Sequence, residues 1–188
     1  GKMGFALAEA AVEAGARVTL ITGPVHLPTP DRVTRIDVVS ARDMLAACEA
    51  AIPCDLFIAS AAVADYRPEV VAPQKLKKDP TSGDGLLLQM VRNPDILATI
   101  ATRADRPFSV GFAAETENLL PHAQAKRLRK QVPLLVANLG PATFGQDDNA
   151  LLLIDAHGAT ELPRANKHAL AQQLLAAIAQ RLPDNLPA

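Results

Sequence analysis

Apolar positions at 5, 7, 8, 11 and 12 recur at helical spacing from residue 3 to 14, and Gly15 stands where a helix would stop. Residues 17–22 (RVTLIT) form a short β-branched run closed by Gly23-Pro24, and residues 32–39 form a second strand candidate. The spacing predicts a helix over 41–51 with Ser40 as its N-cap. Residues 55–60 (DLFIAS) are the kind of apolar run that a parallel sheet buries on both faces. Residues 66–84 read as neither helix nor clean strand, with Pro68, Pro73 and Pro80 and a cluster of lysines. Residues 86–91 predict a strand. Asn93-Pro94-Asp95 then reads as a helix start: a capping side chain, a proline at the first helical position, and an acid facing the positive helix end. Strands are expected over 107–113, 133–137 and 150–155, with a helix over 117–130 and a turn at His157-Gly158. An amphipathic helix over 165–181 closes the pattern.

Buried strands alternating with helices imply an α/β layered, Rossmann-like domain with a mainly parallel sheet. It is expected to occupy 1–182, followed by a Pro-rich tail at 183–188. In such sheets ligands sit at the carboxyl ends of the strands. The irregular stretch after residue 66 is a long excursion for a compact domain, and is expected to protrude as a lysine-bearing arm.

Composition narrows the function classes. The 188 residues are 49% hydrophobic and 21% charged, enough apolar content for a core and too little charge for disorder. The net charge of -1, from 19 basic and 20 acidic side chains, argues against broad nucleic-acid binding. With no Trp and one Tyr, aromatic stacking on single strands has little to work with. No apolar run approaches the length of a membrane span and no signal-peptide pattern appears, so a cytoplasmic protein is expected. Cys48 and Cys54 are too few and too close for a disulfide framework, and are expected to be reduced and partly buried. The chain opens Gly1-Lys2-Met3-Gly4 directly into a helical pattern without an initiator Met, as an N-terminally truncated fragment would.

Several places could carry chemistry. Gly1-x-x-Gly4 at a helix start is either the tail of a phosphate-binding turn or a site of close helix–strand packing. Ser60 to Asp65 follows a buried strand with small residues that let a ligand approach the backbone. Asp65 could hold a hydroxyl, an amine or a metal, or simply cap a turn. Lys75-Leu76-Lys77-Lys78 lies between Pro73 and Pro80; on a closing arm its lysines would neutralise phosphate charge, and otherwise they form a solvated face. Lys126 and Lys130 share one helix face, where cations also suit a helix C-terminus. In Gly111-Phe112-Ala113-Ala114-Glu115-Thr116, Phe112 could pack a flat ring or belong to the core, and Glu115 could be a base, a ligand or a cap. His26, His122, His157 and His168 show no ligand spacing and receive no role. There is no G-x-G-x-x-G, no G-x-S-x-G and no Walker A sequence.

Taken in order, Gly1-Lys-Met-Gly-Phe-Ala, Gly23-Pro-Val, Pro28-Thr-Pro30, Ala61-Ala-Val-Ala-Asp-Tyr-Arg-Pro68, Lys75-Leu-Lys-Lys78, Asn93-Pro-Asp-Ile96, Gly111-Phe-Ala-Ala-Glu-Thr116 and Val136-Ala-Asn138 closely resemble the phosphopantothenoylcysteine synthetase family. In bacteria this is usually the C-terminal half of a bifunctional coenzyme A biosynthesis protein. The resemblance runs from Gly1 to about Leu182. It implies CTP-dependent ligation of 4′-phosphopantothenate with L-cysteine through an acyl-cytidylate, with Mg²⁺ accompanying the nucleotide. It further implies that Ala59, Ser60 and Ala61 line the nucleotide site through the backbone and that Asp65 binds the nucleotide. Lys75 would be catalytic, stabilising phosphate and intermediate charge. Pro94, Asp95, Ile96 and Leu97 would open a helix against the nucleotide, with Phe112 near it and Lys126 and Lys130 at the triphosphate. Ala62 would neighbour the phosphopantothenate. The metal ligands are not specified. A homodimer is implied, with the lysine arm contributing across the interface, and no nucleic-acid or membrane partner. FMN belongs to the family's flavin-dependent decarboxylase half, which is not in this chain.

The sequence departs from the family in lacking its opening strand and an Asn shortly before Gly1, and in carrying Leu139 where the family has Asp. Two other readings stand beside the ligase. One is a NAD(P)-binding oxidoreductase-like domain, suggested by the α/β pattern alone. The other is a nucleotide-binding fragment without turnover.

Overall fold

The computed structural model describes residues 1–77, 85–115, 119–139 and 148–183. Lys78, Thr116 and the tail beyond Pro183 therefore lie outside the described residues, as do the side chains of Glu115 and Asn138.

Helix α1 (Lys2–Glu13) buries Phe5, Leu7, Ala8, Ala10 and Val12, the stripe that the sequence period implies save for Ala10 in place of Ala11. It ends at Gly15, whose N–H bonds to Val12 O while Ala16 N–H reaches Ala11 O, so two orphan carbonyls are satisfied. Strand β1 (Thr19–Thr22) pairs in parallel with β2 (Thr34–Asp37). Helix α2 (Ala41–Ala50) starts at Ser40 with a reciprocal cap: Asp43 N–H donates to Ser40 Oγ and Ser40 N–H to the Asp43 carboxylate.

Strands β3 (Leu56–Ala59), β6 (Phe108–Glu115), β7 (Leu134–Leu139), β8 (Asp148–Ile154) and β9 (Ala159–Asn166) form the central sheet in that order. Between β3 and β6 in the chain come β4 (Tyr66–Pro68), β5 (Met90–Arg92) and the short helix α3 (Ile96–Ala101). Helix α4 (Leu119–Lys130) links β6 to β7, and α5 (Lys167–Ala179) follows β9. The two pairings from β3 to β7 are parallel, and the two from β7 to β9 are antiparallel. The central sheet is thus mixed rather than mainly parallel. For the β8–β9 pairing the local reason is the connection itself. Asp155 accepts from the N–H groups of His157 and Gly158, and Asp155 N–H bonds Gly158 O, closing a tight turn that forces antiparallel neighbours. Strand β9 has no counterpart in the sequence reading. It is an edge strand, mostly exposed, with only Leu162 and Ala165 leaning on the core, so its alternation is faint.

Side chains alternate cleanly across the buried strands. Val110, Leu134, Val136, Leu151 and Leu153 face α1 and α5, while Ala113, Leu135, Ala137 and Ile154 pack with Ala101 and Ala123 of α3 and α4. A third cluster joins α2, α3, β1 and β3 through Cys48, Ile96 and Ile100. The result is a helix–sheet–helix layering. Cys48 is buried and Cys54 is exposed, so only one of the pair matches the expected partial burial, and both are free thiols. Burial first, then the neighbouring Cys54 and Glu49, pushes the Cys48 thiol up to about 11, so it packs as an inert apolar group. Among the described residues no helix is long and apolar enough to cross a membrane.

The stretch read as irregular is an antiparallel ribbon at its root, with Tyr66 opposite Arg92 and Pro68 opposite Met90. Its described residues beyond Pro68 are exposed, including Val70, Val71, Leu86 and Leu87.

Candidate functional site

Strand β3 ends at Ala59, and the chain then turns outward through Ser60, Ala61, Ala62, Val63, Ala64 and Asp65. Ser60 is half-buried, whereas Ala61, Ala62, Ala64 and Asp65 are exposed. The first turn of α1 leans on this loop. A Cβ added to Gly4 would lie 2.9 Å from Ser60 Oγ, a distance that side chains do not tolerate. Of the two roles open to Gly4, the structure displays close packing of helix against strand end.

The far side of the loop is tied by Asn93, which directly follows β5. Its N–H donates to Asp65 O and its side-chain amide to Ala64 O, each at 2.8 Å. Arg67 of β4 donates to Asn93 Oδ1 at 3.2 Å and to Arg92 O. Asn93 is therefore not the cap of α3. Asp95 is, accepting from Ala98 N–H at 3.1 Å. With Pro94 between them, the helix begins two residues later than the sequence pattern implied, at Ile96 rather than Pro94, and Asn93 is left to serve the loop.

Asp95 also forms an ion pair with Lys130 at the end of α4. Burial alone would raise its carboxyl. The Lys130 bond, the Ala98 N–H and the charge of Arg129 outweigh that and hold it below the ordinary carboxylate range. Ile96 is buried against Cys48 and Ile100, and Leu97 packs on Gly111, where a Cβ would come within 2.5 Å of Leu97 Cδ2. The Ile96 side chain is thus held in the core, while that of Leu97 is half-buried against the sheet. Phe112 packs, half-buried, against the α1–α5 side of the sheet, the face opposite Leu97. Lys126, one turn before Lys130, is half-buried. Lys75 and Lys77 are exposed on the ribbon.

The fold therefore brings Ser60 to α1, Asp65 to the start of α3, and Asp95 to Lys130, which are 35 residues apart. Among the described residues no hydrogen bond or ion pair joins Lys75 to the other candidates. Sequence reasoning missed Arg67 and Asn93 as ties of the loop, because capping was the stronger local signal for Asn93. It also missed a cavity of about 190 Å³ between residues 38–41 with Met44 on one side and Ala62, Val63, Ala64 and Asn93 on the other. A larger cleft of about 540 Å³ lies at the opposite, amino ends of β6 and β7, beside Arg106 and Arg127, and holds none of the candidate residues. Glu9, Glu13 and His168 place ligand atoms within 4.8 Å of one another on the α1–α5 surface, where His168 contacts both carboxylates. No candidate residue belongs to that group.

An exposed loop of small residues after a parallel strand, flanked by the first turn of α1 and by Asn93, makes this an α/β domain of the class that takes a ligand at strand carboxyl ends. Residues 1–182 match the DNA/pantothenate metabolism flavoprotein C-terminal domain family, and the chain belongs to it. The Coenzyme A biosynthesis bifunctional protein CoaBC of Escherichia coli (strain K12) is 50% identical over 186 residues, covering 96% of this chain and 46% of that protein. The chain spans about half the length of the curated relatives it matches. The crystal structure of the C-terminal domain of a CoaBC protein superposes with a TM-score of 0.81 at 36% identity, covering 98% of this chain and 84% of that one. A Cab2 variant in complex with phosphopantothenate-cysteine shares the fold, with a TM-score of 0.76 at 16% identity over 96% of this chain and 77% of that one.

Proposed function

We propose that this chain is the ligase unit that joins 4′-phosphopantothenate to the amine of L-cysteine at the expense of CTP. The single observation that carries the reading is the 50% identity to a coenzyme A biosynthesis protein across nearly the whole chain. In the first step a carboxylate oxygen attacks the α-phosphorus of CTP and pyrophosphate leaves. In the second, the cysteine amine attacks the acyl carbon of the cytidylate, CMP leaves, and the amine loses a proton. Both steps bring anions together, so they need fixed cations and oriented reactants more than covalent help from the protein.

The assigned roles follow the same logic. The backbone of Ala59, Ser60 and Ala61 receives the nucleotide, Asp65 binds it, and Pro94 to Leu97 offer it the start of α3. Ala62 adjoins the phosphopantothenate and Phe112 packs near the nucleotide. Lys126 and Lys130 meet the triphosphate, with Lys130 exchanging Asp95 for phosphate. Lys75, carried on the ribbon as an arm, stabilises charge on the phosphates and on the acyl-cytidylate. Mg²⁺ enters with the triphosphate; it favours oxygen donors and retains waters. Asp65 offers an exposed carboxylate, whereas that of Asp95 is held by Lys130. The working form is a cytoplasmic homodimer, and FMN serves only the decarboxylase half of the bifunctional relatives.

The test is thermal shift with CTP, ATP and NADP⁺, each with Mg²⁺, followed by pyrophosphate release dependent on both phosphopantothenate and cysteine. A CTP-selective rise in melting temperature with turnover is expected. A shift with NADP⁺ alone would overturn the reading in favour of an oxidoreductase-like domain, and CTP binding without turnover would leave a nucleotide-binding fragment.

A further inference from the structure

Arg67 and Asn93 lie on opposite sides of the ribbon root, with Arg67 in the middle of β4 and Asn93 just past β5. Both are half-buried. The guanidinium is a donor only, so the oxygen of the Asn93 amide must face it, which leaves the amide nitrogen for Ala64 O. One side chain is thereby oriented by the ribbon and in turn holds the loop after β3. The backbone N–H of Asn93 fixes the next carbonyl, that of Asp65. Glu69 N–H to Gln89 O at 2.9 Å extends the ribbon one step, and the described residues further out are exposed. An isolated two-stranded ribbon is marginal in water, so its direction depends on how its root is fastened.

We propose that Arg67 and Asn93 form a latch, and that they are positioning residues for the ligase reaction, setting the ribbon that carries Lys75 against the loop that carries Asp65. This rests on the functional reading above and adds to it two residues that touch no reacting atom. Their bonds run to the ribbon root and to the loop and none reaches the central sheet among the described residues, so the latch orients a surface device rather than holding the core.

The experiment compares Asn93→Ala, Asn93→Asp, Arg67→Ala and Arg67→Lys with the parent chain, in kcat, KM for CTP and Tm. Arg181→Ala is the control. It breaks the 2.8 Å pair with Asp155 at the far end of α5 and is expected to lower Tm while leaving both kinetic constants alone. Asn93→Ala should lose between about tenfold and a hundredfold in kcat/KM, the scale of an ångström-sized misplacement, with Tm no lower than in the control. Asn93→Asp keeps the acceptor for Arg67 but faces Ala64 O with a carboxylate oxygen, and should be as impaired as Asn93→Ala. Arg67→Lys should recover part of what Arg67→Ala loses. Tyr66, the only tyrosine in a chain without tryptophan, supplies a readout besides activity. Its fluorescence anisotropy should fall in Asn93→Ala without any ligand, as the ribbon root loosens. A variant with kcat/KM within twofold of the parent, or unchanged anisotropy, would overturn the latch while the ligase reading stands. A parent chain with neither CTP binding nor turnover would remove that reading, and the latch's role in the reaction with it.

Discussion

Asp95 does two jobs that substitution can separate. Its carboxylate caps α3 and pairs with Lys130. Asparagine caps a helix as well as aspartate does but carries no charge, so Asp95→Asn removes only the ion pair. The Asp95 side chain is 46% exposed and that of Lys130 19%, so solvent screens the pair and its worth is about 0.5 kcal/mol. Asp95→Ala removes the cap as well, worth about 1 kcal/mol more. For a domain of this size each kcal/mol moves Tm by about 2–4 °C. Calorimetry at neutral pH should therefore show a drop of about 1–2 °C for Asp95→Asn and about 3–6 °C for Asp95→Ala. The pH dependence has a definite sign. The folded carboxyl sits below its unfolded value, so its contribution is complete above the ordinary carboxylate range and is lost as pH falls through the lower, folded value. The gap between parent and Asp95→Asn should be flat above the ordinary carboxylate range and close as pH falls below it. Equal losses for Asn and Ala, or a gap that grows on acidification, would refute the division into cap and ion pair.

Leu174→Ala, at a fully buried site between α5 and the sheet, should cost about 2–5 kcal/mol in urea unfolding. Gly4→Ala should be better tolerated with Ser60→Gly than in the parent, with a coupling of about 1 kcal/mol in a double-mutant cycle, because the intruding Cβ meets Ser60 Oγ. Lys75→Ala should abolish ligase turnover while Tm stays within a degree or so, since the side chain is exposed; near-normal turnover would remove its catalytic role. Lys126→Ala should weaken CTP binding by isothermal titration more than it lowers Tm, and unchanged affinity would return that lysine to a structural part.

Signals that act within a few residues were legible before the structure. Ser40 caps its helix through Asp43, Gly15 closes α1, and His157-Gly158 turns the chain where expected. The apolar runs at β6 and β7 are inner strands, as their continuous hydrophobicity implied, whereas the equally apolar run at β3 stands at the end of the sheet and is only half-buried. The misreadings also have local causes. Asn93 and Asp95 both carry capping chemistry, and which of them caps depends on the Ala64 carbonyl, 29 residues away in sequence. Strand β9 turns most of its side chains to solvent, so period-2 burial leaves little trace. At the ribbon root the apolar run at 86–91 announced one strand, which pairs only over Met90–Arg92, whereas the three residues of β4 are too few to show a pattern.

The chain alone determined the layered α/β class, the order of most elements and, through a run of motifs, its family, because periodicity, caps and turn residues act at short range along the backbone. The tertiary structure decided the rest. It set the mixed sheet, since strand direction depends on which edges meet. It set Ile96 and Leu97 of α3 against one face of the sheet and Phe112 of β6 against the other, since packing of a helix on a sheet is a long-range choice. It joined Asp95 to Lys130 and Arg67 to Asn93, since a long-range polar contact follows from where the packed core leaves each carboxylate, amide and cation.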